Sequence, residues 1–258
     1  MKKPLILVVN DDGIYAKGIR NLIRIMNDFG DVVVIAPNSA QSGKGHAITI
    51  EATIRCDEVV IDDSPQKEYA CSGTPVDCVK LAVNQILDRK PDLCVSGINH
   101  GSNSSINVIY SGTMAAAIEG ALEEIPSIGF SLLDYDANAD FSETEEYVRE
   151  ITKKVLNHGL DKGVCLNVNI PKSIDGEKLK GLKVCRQANA NWKEEFEART
   201  DPKGRMYYWL TGKFVNYDKG IDTDEWALAN HYVSVVPVQF DVTAHSSLLS
   251  VNKLLFDE

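Results

Sequence analysis

The sequence predicts an α/β protein built around a mostly parallel β-sheet. Leu5–Val9 and Val32–Ala36 are short, wholly apolar runs, which is the pattern of strands buried on both faces. Between them, Ile14–Asp28 carries apolar residues at helical spacing, and Gly30 ends this segment. A strand, a helix and a second strand in this order form a βαβ unit, whose crossover is right-handed.

Length and composition narrow the class of protein. The 258 residues suffice for one large α/β domain or for a main domain with an appendage. With 44% apolar and 25% charged residues, the chain has the composition of a globular protein and not of a disordered one. The net charge of −10 argues against bulk electrostatic binding to nucleic acid polymers or to an anionic membrane. A metal ion or a helix N-terminus can still attract a small anion.

We expect a cytoplasmic protein without a membrane segment. The apolar run after Lys2 and Lys3 is too short for a signal peptide and has no small-residue cleavage site. No segment approaches the ~20 apolar residues of a membrane span. The six cysteines include no Cys-x-x-Cys pair and no zinc-like spacing with histidine, so we expect reduced thiols.

Strands and helices continue to alternate up to about residue 160. Thr74 is suited to cap a helix that has Pro75 at its first position. An alanine-rich helix begins near Ser111 and runs to about Leu122. The other elements that we predict here are strands at Ala47–Ile54, Glu58–Ile61, Glu68–Cys71, Asp92–Ser96 and Pro126–Phe130, and helices at Val76–Leu87 and Glu143–Leu156.

From about Lys162 the pattern becomes hairpin-like and rich in aromatic residues. We predict strands at Gly163–Ile170, Gly181–Gln187, Arg205–Leu210, Lys213–Tyr217 and His231–Phe240, and a terminal helix at Ser246–Phe256. The aromatic residues Trp192, Tyr207, Tyr208 and Trp209 indicate a subunit interface or a lid over the site, and packing within the chain is the alternative.

Three strand ends carry side chains with oxygen ligands. Asp11 and Asp12 follow the first strand within Asn-Asp-Asp-Gly. Ser42 lies in the long loop after the second strand, and Asn99 follows the strand at Asp92–Ser96. In open α/β sheets, ligands bind at the carboxyl ends of strands. Two adjacent carboxylates repel each other unless a positive charge lies beside them, and a divalent cation is the simplest such partner. Carboxylate, hydroxyl and amide ligands together favour Mg²⁺, Mn²⁺ or Ca²⁺ over zinc or copper.

Each of these features also has a structural interpretation. Asn-Asp-Asp-Gly is good turn and helix-cap chemistry. The loop Pro37–His46 matches neither a Walker A loop nor a dinucleotide fingerprint, although loops of this length inside compact domains are often functional. The helix start Ser111-Gly112-Thr113 predicts either a phosphate cradle of backbone N–H groups or an ordinary cap. A hard cation beside such a helix start suits a phosphate ester.

Five segments of the chain resemble the SurE family, the survival-protein-E nucleotidases. They are VNDDGIYAKGIRNL, VIAPNSAQSGKGHAITI, SGTPVDCVKLA, DLCVSGINHGSNSSINVIYSGTMAAAIEGALEEIPSIGFSL and RQANANWKEEFEARTDPKGRMYYWLTG. The segments follow the family's order and together extend over nearly the whole chain. The resemblance implies a divalent-metal-dependent phosphomonoesterase that acts on nucleoside monophosphates, as 5′-nucleotides and also as 3′-nucleotides.

The resemblance also implies an architecture. One SurE-like domain would extend over residues 1–258, with a Rossmann-like three-layer α/β/α core at 1–160. Residues 161–258 would supply strands, a hairpin and a terminal helix for oligomerisation, giving a homodimer or a homotetramer.

Site residues follow from the same resemblance. The family's metal ligands correspond to Asp11, Asp12, Ser42 and Asn99. Its phosphate-side residues correspond to Asn99, Asn103, Ser111, Gly112 and Thr113. The chain departs from the family where Ser102 replaces a common proline and where Ser105 stands near a common glycine, which bears on the rigidity of this loop.

We hypothesise that a metal-activated water hydrolyses the ester. Direct attack by Asp11, which would form an aspartyl-phosphate, is the alternative, and the metal's need for both Asp11 and Asp12 disfavours it. His46 is either the general acid for the leaving oxygen or a structural hydrogen-bonding group.

The alternatives to a nucleotidase are an exopolyphosphatase that acts on short polyphosphate and a module that senses nucleotides without hydrolysing them. The acidic pair argues against a passive sensor, because passive phosphate binders rely on basic groups and backbone amides. The missing glycine fingerprint disfavours a dinucleotide oxidoreductase.

Overall fold

The computed structural model describes residues 3–136, 138–173 and 178–256. The strands in these ranges are β1 (Leu5–Val9), β2 (Asp31–Pro37), β3 (Cys56–Val59), β4 (Lys67–Cys71), β5 (Leu93–His100), β6 (Ser127–Leu133), β7 (Val164–Pro171), β8 (Leu182–Val184), β9 (Ala190–Thr200), β10 (Met206–Asn216) and β11 (Val233–Gln239). The α-helices are α1 (Lys17–Met26), α2 (Pro75–Leu81), α3 (Asn107–Tyr110), α4 (Gly112–Leu122), α5 (Glu145–His158), α6 (Asp224–Ala229) and α7 (Leu248–Phe256).

Nine of these strands form one sheet in the order β3-β4-β2-β1-β5-β6-β7-β11-β8. Neighbouring strands from β4 across to β7 are parallel, as are β11 and β8, while β3–β4 and β7–β11 are antiparallel. The prediction of a mostly parallel sheet is therefore confirmed. No helix within the described ranges is both long and apolar enough to cross a membrane.

Helices cover both faces of the sheet, which makes three layers. Ile6 and Val8 of β1 pack in one apolar cluster with residues of α1 and α5. Leu7 and Val9 pack in a second cluster with residues of α2 and α4. Side chains alternate across a strand, so β1 is buried on both faces. Each fully buried aliphatic side chain contributes about 1.5–3 kcal/mol, which fixes the position of β1 and of the residues that follow it.

Successive strands are added to the sheet on opposite sides of β1. From β1 the chain passes through α1 to β2 on one side, and after α2 it returns to place β5 on the other side of β1. A topological switch point of this kind leaves a crevice at the carboxyl ends of the two strands, where open α/β sheets bind ligands. The residues after β1 and at the end of β5 therefore occupy the expected place for a site.

The predicted strand at Ala47–Ile54 is wrong. The segment has no regular structure, because the start of α2 fixes its backbone in place of a strand partner. Thr49 donates two hydrogen bonds to the Asp77 carboxylate, from its N–H at 3.1 Å and from its hydroxyl at 2.6 Å. The Thr74 hydroxyl donates to the carbonyl of Ala47 at 2.7 Å. Thr74 also caps α2, as predicted.

The strand predicted at Asp92–Ser96 continues to His100, so that Asn99 lies in the strand and not in the loop after it. The pairing of β5 with β6 shifts between Ser96 and Asn99, which is a bulge. Gly97 allows this bulge because its φ is +124° and a Cβ there would lie 2.3 Å from the Phe130 carbonyl oxygen.

The C-terminal part also differs from expectation. Arg205–Leu210 and Lys213–Tyr217, predicted as two strands, belong to the single strand β10, which pairs with β9 in an antiparallel hairpin. Helix α6 was not among the predicted elements. Strands β7, β11 and β8 extend the main sheet beyond residue 160, and an oligomerisation role for residues 161–258 stays a prediction.

Candidate metal and phosphate site

Asp11 follows β1 directly, and the start of α4 holds its side chain. The Thr113 hydroxyl donates to Asp11 Oδ1 at 2.5 Å, and the Thr113 N–H also bonds to this carboxylate. Both residues are buried, Asp11 at 4% exposure and Thr113 at 0%. The partial positive charge of a helix N-terminus favours an anion at this position.

The close approach of α4 depends on Gly112. A Cβ at this residue would lie 2.6 Å from Asp11 Cβ and 2.9 Å from Asp11 Oδ2. A side chain here would therefore displace the carboxylate. Ser111 precedes it as the helix cap, and its Oγ accepts the N–H of Met114 at 3.0 Å. The predicted phosphate cradle is thus the same helix start that binds Asp11.

Asp12 lies beside Asp11 and faces the end of β5. Its Oδ2 accepts the N–H of His100 at 3.2 Å. Asn99, the preceding residue, donates from Nδ2 to the Gly101 carbonyl at 2.8 Å. Its Oδ1 accepts no hydrogen bond from the described residues. The β5 bulge therefore brings an amide oxygen to the strand end that also contacts Asp12.

The two carboxylates are close enough to perturb each other. Burial raises the pKa of Asp11 from its ordinary 3.8 to about 6, and repulsion from Asp12 adds to the increase. Burial likewise raises the pKa of Asp12. Within the described part of the chain, no lysine or arginine forms an ion pair with either group. Asp11 is buried, Asp12 is partly buried, and neither forms an ion pair with lysine or arginine, which makes the pair a candidate site for a cation from solution.

The loop after β2 reaches this site through its backbone. The N–H of Gln41 donates to the carbonyl of Asp11 at 2.7 Å. The next residue, Ser42, is exposed, and its hydroxyl has no hydrogen-bond partner among the described residues. The structure therefore places Ser42 next to a residue that touches Asp11, with its oxygen available as a ligand.

His46, at the end of the same loop, faces α4. Its Nε2 lies 2.9 Å from Oε2 of Glu119, and Lys80 Nζ lies 2.5 Å from the other oxygen of that carboxylate. Glu119 is buried, whereas His46 and Lys80 are partly exposed. Although burial alone would raise the pKa of Glu119, the bonds from His46 and Lys80 hold it below its usual value. His46 thus has a structural partner, and it also lines a cavity together with Ser111.

Asn103 belongs to a buried polar network with residues of β6 and β7, and none of its hydrogen bonds among the described residues reaches Asp11 or Asp12. Its side-chain amide donates to Ser131 Oγ at 2.8 Å, and its N–H donates to Asn169 Oδ1 at 2.8 Å. Its carbonyl accepts from Asn167 Nδ2 at 2.8 Å. Sequence reasoning missed Asn167 and Asn169. Their signal was two asparagines at alternate positions of an otherwise apolar strand, which is unusual because a buried amide needs partners.

Ser105 takes a conformation that usually requires glycine. Its φ is +51°, in the left-handed region. Its N–H donates to Asp224 Oδ2 at 2.8 Å, and its hydroxyl lies 2.9 Å from the Ala188 carbonyl and 3.1 Å from the Ala190 carbonyl. These bonds offset the strain and hold the loop against α6. The departure from the family at this position therefore leaves the loop anchored.

The donor set fits a hard divalent cation. Two carboxylates, a hydroxyl and an amide oxygen supply oxygen ligands alone, as Mg²⁺, Mn²⁺ and Ca²⁺ require. Among the residues that the structure describes, no group of three or more His, Cys, Asp or Glu side chains is placed to hold a metal ion. This is consistent with the set above, which contains only two residues of those types.

Comparisons with known proteins agree with the fold. The family model described as "Survival protein SurE" matches residues 6–194. The "5'-nucleotidase SurE" of Christiangramia forsetii is 68% identical over 245 residues, covering 95% of this chain and 94% of that protein. The protein of the same name from Flavobacterium psychrophilum is 63% identical over 252 residues, covering 98% of both.

A solved structure extends this similarity to three dimensions. The crystal structure of the SurE protein from Aquifex aeolicus matches with a TM-score of 0.82 at 39% identity, and the match covers 98% of this chain and 100% of that chain. The family match and these identities lead to one conclusion: the chain belongs to the SurE family.

Proposed function

We propose that this protein is a 5′-nucleotidase, which hydrolyses nucleoside monophosphates to a nucleoside and phosphate. The observation that carries the proposal is the adjacent pair of Asp11, which is buried, and Asp12, which is partly buried. No lysine or arginine among the described residues forms an ion pair with either group, and the two lie at the topological switch point. The high identity to relatives named 5'-nucleotidase SurE supports the same activity.

A divalent cation, Mg²⁺ or Mn²⁺, is part of the proposal. Asp11, Asp12, Ser42 and Asn99 would hold it, since all four offer oxygen ligands near the ends of β1 and β5. When bound, such a cation polarises a phosphoryl oxygen and makes a nearby water more acidic. Ca²⁺ also accepts an all-oxygen donor set and is expected to compete for it.

The chain's own residues have separate roles in this proposal. Thr113 fixes the Asp11 carboxylate through two hydrogen bonds, which limits its freedom to attack phosphorus. Water is therefore the proposed nucleophile. The N-terminus of α4 at Ser111 and Gly112 would attract phosphate oxygens through its positive dipole. Asn103, held by the buried network of β6 and β7, stays a predicted phosphate-side residue.

His46 is the proposed general acid for the leaving oxygen. Glu119 orients its ring through Nε2, in the way that a carboxylate commonly orients a catalytic histidine. The other ring nitrogen, Nδ1, would then exchange a proton with the ester.

Phosphate release from a panel of nucleoside monophosphates and short polyphosphate tests the proposed function. We expect release from the nucleotides with Mg²⁺ or Mn²⁺ and none with EDTA. Release from polyphosphate alone would replace the nucleotidase with an exopolyphosphatase. Nucleotide binding without release under any metal would identify a sensing module instead.

We also propose that the protein is cytoplasmic and forms a homodimer or a homotetramer. All six cysteines are free thiols, which supports the reducing compartment.

Trp192 packs on Phe214 with ring centroids 5.6 Å apart, but other apolar side chains of the hairpin and of α7 are exposed. These are Phe196, Tyr207, Tyr208, Trp209, Leu210, Leu249, Leu254 and Phe256. Light scattering after gel filtration is expected to give a multiple of the chain mass, and a monomer would contradict this.

A further inference from the structure

Three of the six cysteines meet at the edge of the sheet, away from the acidic pair. Cys56 of β3 is paired with Cys71 of β4, and Cys78 of α2 packs behind Cys71. The Cys71 thiol lies close enough to those of Cys56 and Cys78 for each to affect the pKa of the others. Cys71 and Cys78 are fully buried, whereas Cys56 is half-buried. Only the outermost thiol of this group therefore meets solvent directly.

The strand register brings Cys56 and Cys71 into the geometry of a disulfide. Arg55, just before β3, and Ser72, just after β4, lie opposite each other and are a hydrogen-bonded pair, because the N–H of Ser72 donates to the Arg55 carbonyl at 2.8 Å. Pairs alternate in an antiparallel ladder, so Cys56 and Cys71 form a non-hydrogen-bonded pair. The Cα atoms of such pairs are about 4.5 Å apart, which lies within the range of roughly 4.4–6.8 Å found for disulfides.

We propose that Cys56 and Cys71 form an oxidisable dithiol, which peroxides convert to a cross-strand disulfide. The peroxide first transfers an oxygen atom to the Cys56 sulfur, giving a sulfenic acid and releasing water. The Cys71 sulfur then attacks the Cys56 sulfur, the S–S bond forms, and the hydroxyl leaves as a second water. The two thiol hydrogens and the two peroxide hydrogens leave in the two waters, and the two sulfurs supply both electrons.

The environment favours Cys71 as the attacking group. Its interaction with Cys56 lowers the pKa of the Cys71 thiol, and the same interaction raises that of Cys56. The N–H of Gly73 also donates to Cys71 Sγ at 3.3 Å. A thiolate is the nucleophile in both steps, so these contacts prepare Cys71 for the second step, whereas exposure to solvent and not acidity makes Cys56 the target of peroxide in the first.

The disulfide would link the edge strand β3 covalently to β4. Among the strands that the structure describes, β3 has only β4 beside it, and the segment before β3 has no regular structure. The Cys71 carbonyl also accepts the N–H of Asn38 at 2.7 Å, at the base of the loop that carries Ser42. A disulfide would close the segment from Cys56 to Cys71 and restrict the unfolded chain, so the thermal midpoint should rise by roughly 5 °C.

The other cysteines provide an internal control. Cys94 and Cys165 are both paired with Ser127 on β6, from opposite sides. A whole strand therefore separates them, and two strand spacings of about 4.8 Å exceed the roughly 7 Å limit for a disulfide. Both are fully buried. They should remain reduced while the dithiol is oxidised.

Peptide mapping by mass spectrometry of the intact protein tests this proposal. After treatment with hydrogen peroxide and alkylation, we expect a Cys56–Cys71 crosslink and alkylated Cys94 and Cys165. The variant C78S should form the same crosslink, and C56S should form none and lose the rise in thermal midpoint. Overoxidised Cys56 without a crosslink, or a Cys71–Cys78 bond as the main product, would overturn the proposal. Unchanged thiols throughout would overturn it as well.

Discussion

Asp11 and Glu119 are both buried acidic side chains, at 4% and 2% exposure, but their surroundings are opposite. Glu119 binds Lys80 and His46, which keep its pKa low. Asp11 binds a hydroxyl and an N–H of Thr113, lies against Asp12, and has its pKa raised to about 6. The chain supplies basic partners for one carboxylate and no lysine or arginine for the other, which is why we propose Asp11 as a cation ligand.

This difference distinguishes an acid with basic partners, Glu119, from the acid that we propose as a cation ligand, Asp11. Burying a charge is costly unless a partner of opposite charge compensates it. Glu119 therefore ties α4 to the loop at His46 and to α2 at Lys80. Asp11 keeps part of this cost, which appears as its raised pKa and which a bound cation would remove; perturbed groups of this kind are common at functional sites.

The largest expected effect is that of Asp11→Asn. The amide keeps the shape and removes the charge, so the cation loses a central ligand. We expect the rate of phosphate release to fall by roughly 10³-fold or more, since removing even a single electrostatic donor typically costs about 10²–10³-fold. The matched control is Asp28→Asn, an exposed acid paired with Arg149. Equal losses in the two variants would contradict the comparison.

His46→Ala should have the next largest effect, and it separates the two roles of this residue. A general acid contributes roughly 10²–10⁴-fold when the leaving group is poor. We expect kcat to fall in that range with a nucleoside monophosphate and to change little with p-nitrophenyl phosphate, whose leaving group needs no proton. Full turnover of the nucleotide by His46→Ala would remove the acid role and leave only the structural one.

Thr113→Val tests how Asp11 is held. The substitution removes the hydroxyl donor at 2.5 Å and keeps the branched shape. Changes to groups that orient metal ligands typically cost about 10- to 100-fold in affinity or activity. We expect a loss of this size in Mn²⁺ affinity, measured by titration, with an unchanged circular dichroism spectrum. Thr113→Ser keeps the hydroxyl and should recover most of the affinity; equally weak binding by both would contradict the assignment.

Glu119→Gln should lower stability, and it should lower activity less than His46→Ala does, because the amide oxygen can still accept a hydrogen bond from the His46 ring. We expect a loss of about 1–2 kcal/mol in unfolding free energy, reduced from the value for a fully buried pair because Lys80 and His46 are partly exposed. The folded-state pKa of Glu119 lies below its ordinary 4.5. Its contribution is thus present above pH 4.5 and is lost as the pH falls through the folded-state pKa. Denaturant titrations should therefore show the two proteins converging in acid, and a constant difference would contradict this.

Periodicity predicted the centre of the fold well. The strands β1 and β2 and the helix between them follow from two apolar runs and one amphipathic segment, because burial on two faces leaves a plain signal. The Ala47–Ile54 segment was mispredicted because its partners, Thr74 and Asp77, lie far along the chain. Such contacts leave no local pattern in the sequence.

The site could be predicted in part for the same reasons. Adjacent acids at a strand end are visible in the sequence, so Asp11 and Asp12 were identified. The bond from Thr113 to Asp11 spans 102 positions in the chain and could not be read from spacing. The partnership of His46 with Glu119 was equally hidden, because nothing near His46 marks an acid 73 residues away. Local chemistry predicted candidate ligands, and the fold showed which side chains hold Asp11 and His46 in place.

Titration calorimetry with Mn²⁺ tests the central claim most directly, because it measures cation binding without substrate. The claim is that Asp11 is available to a cation and Glu119 is not. We expect the wild-type protein and Glu119→Gln to bind Mn²⁺ with similar affinity, and Asp11→Asn to show no measurable binding. Unimpaired binding by Asp11→Asn, or loss of binding in a folded Glu119→Gln protein, would contradict the account.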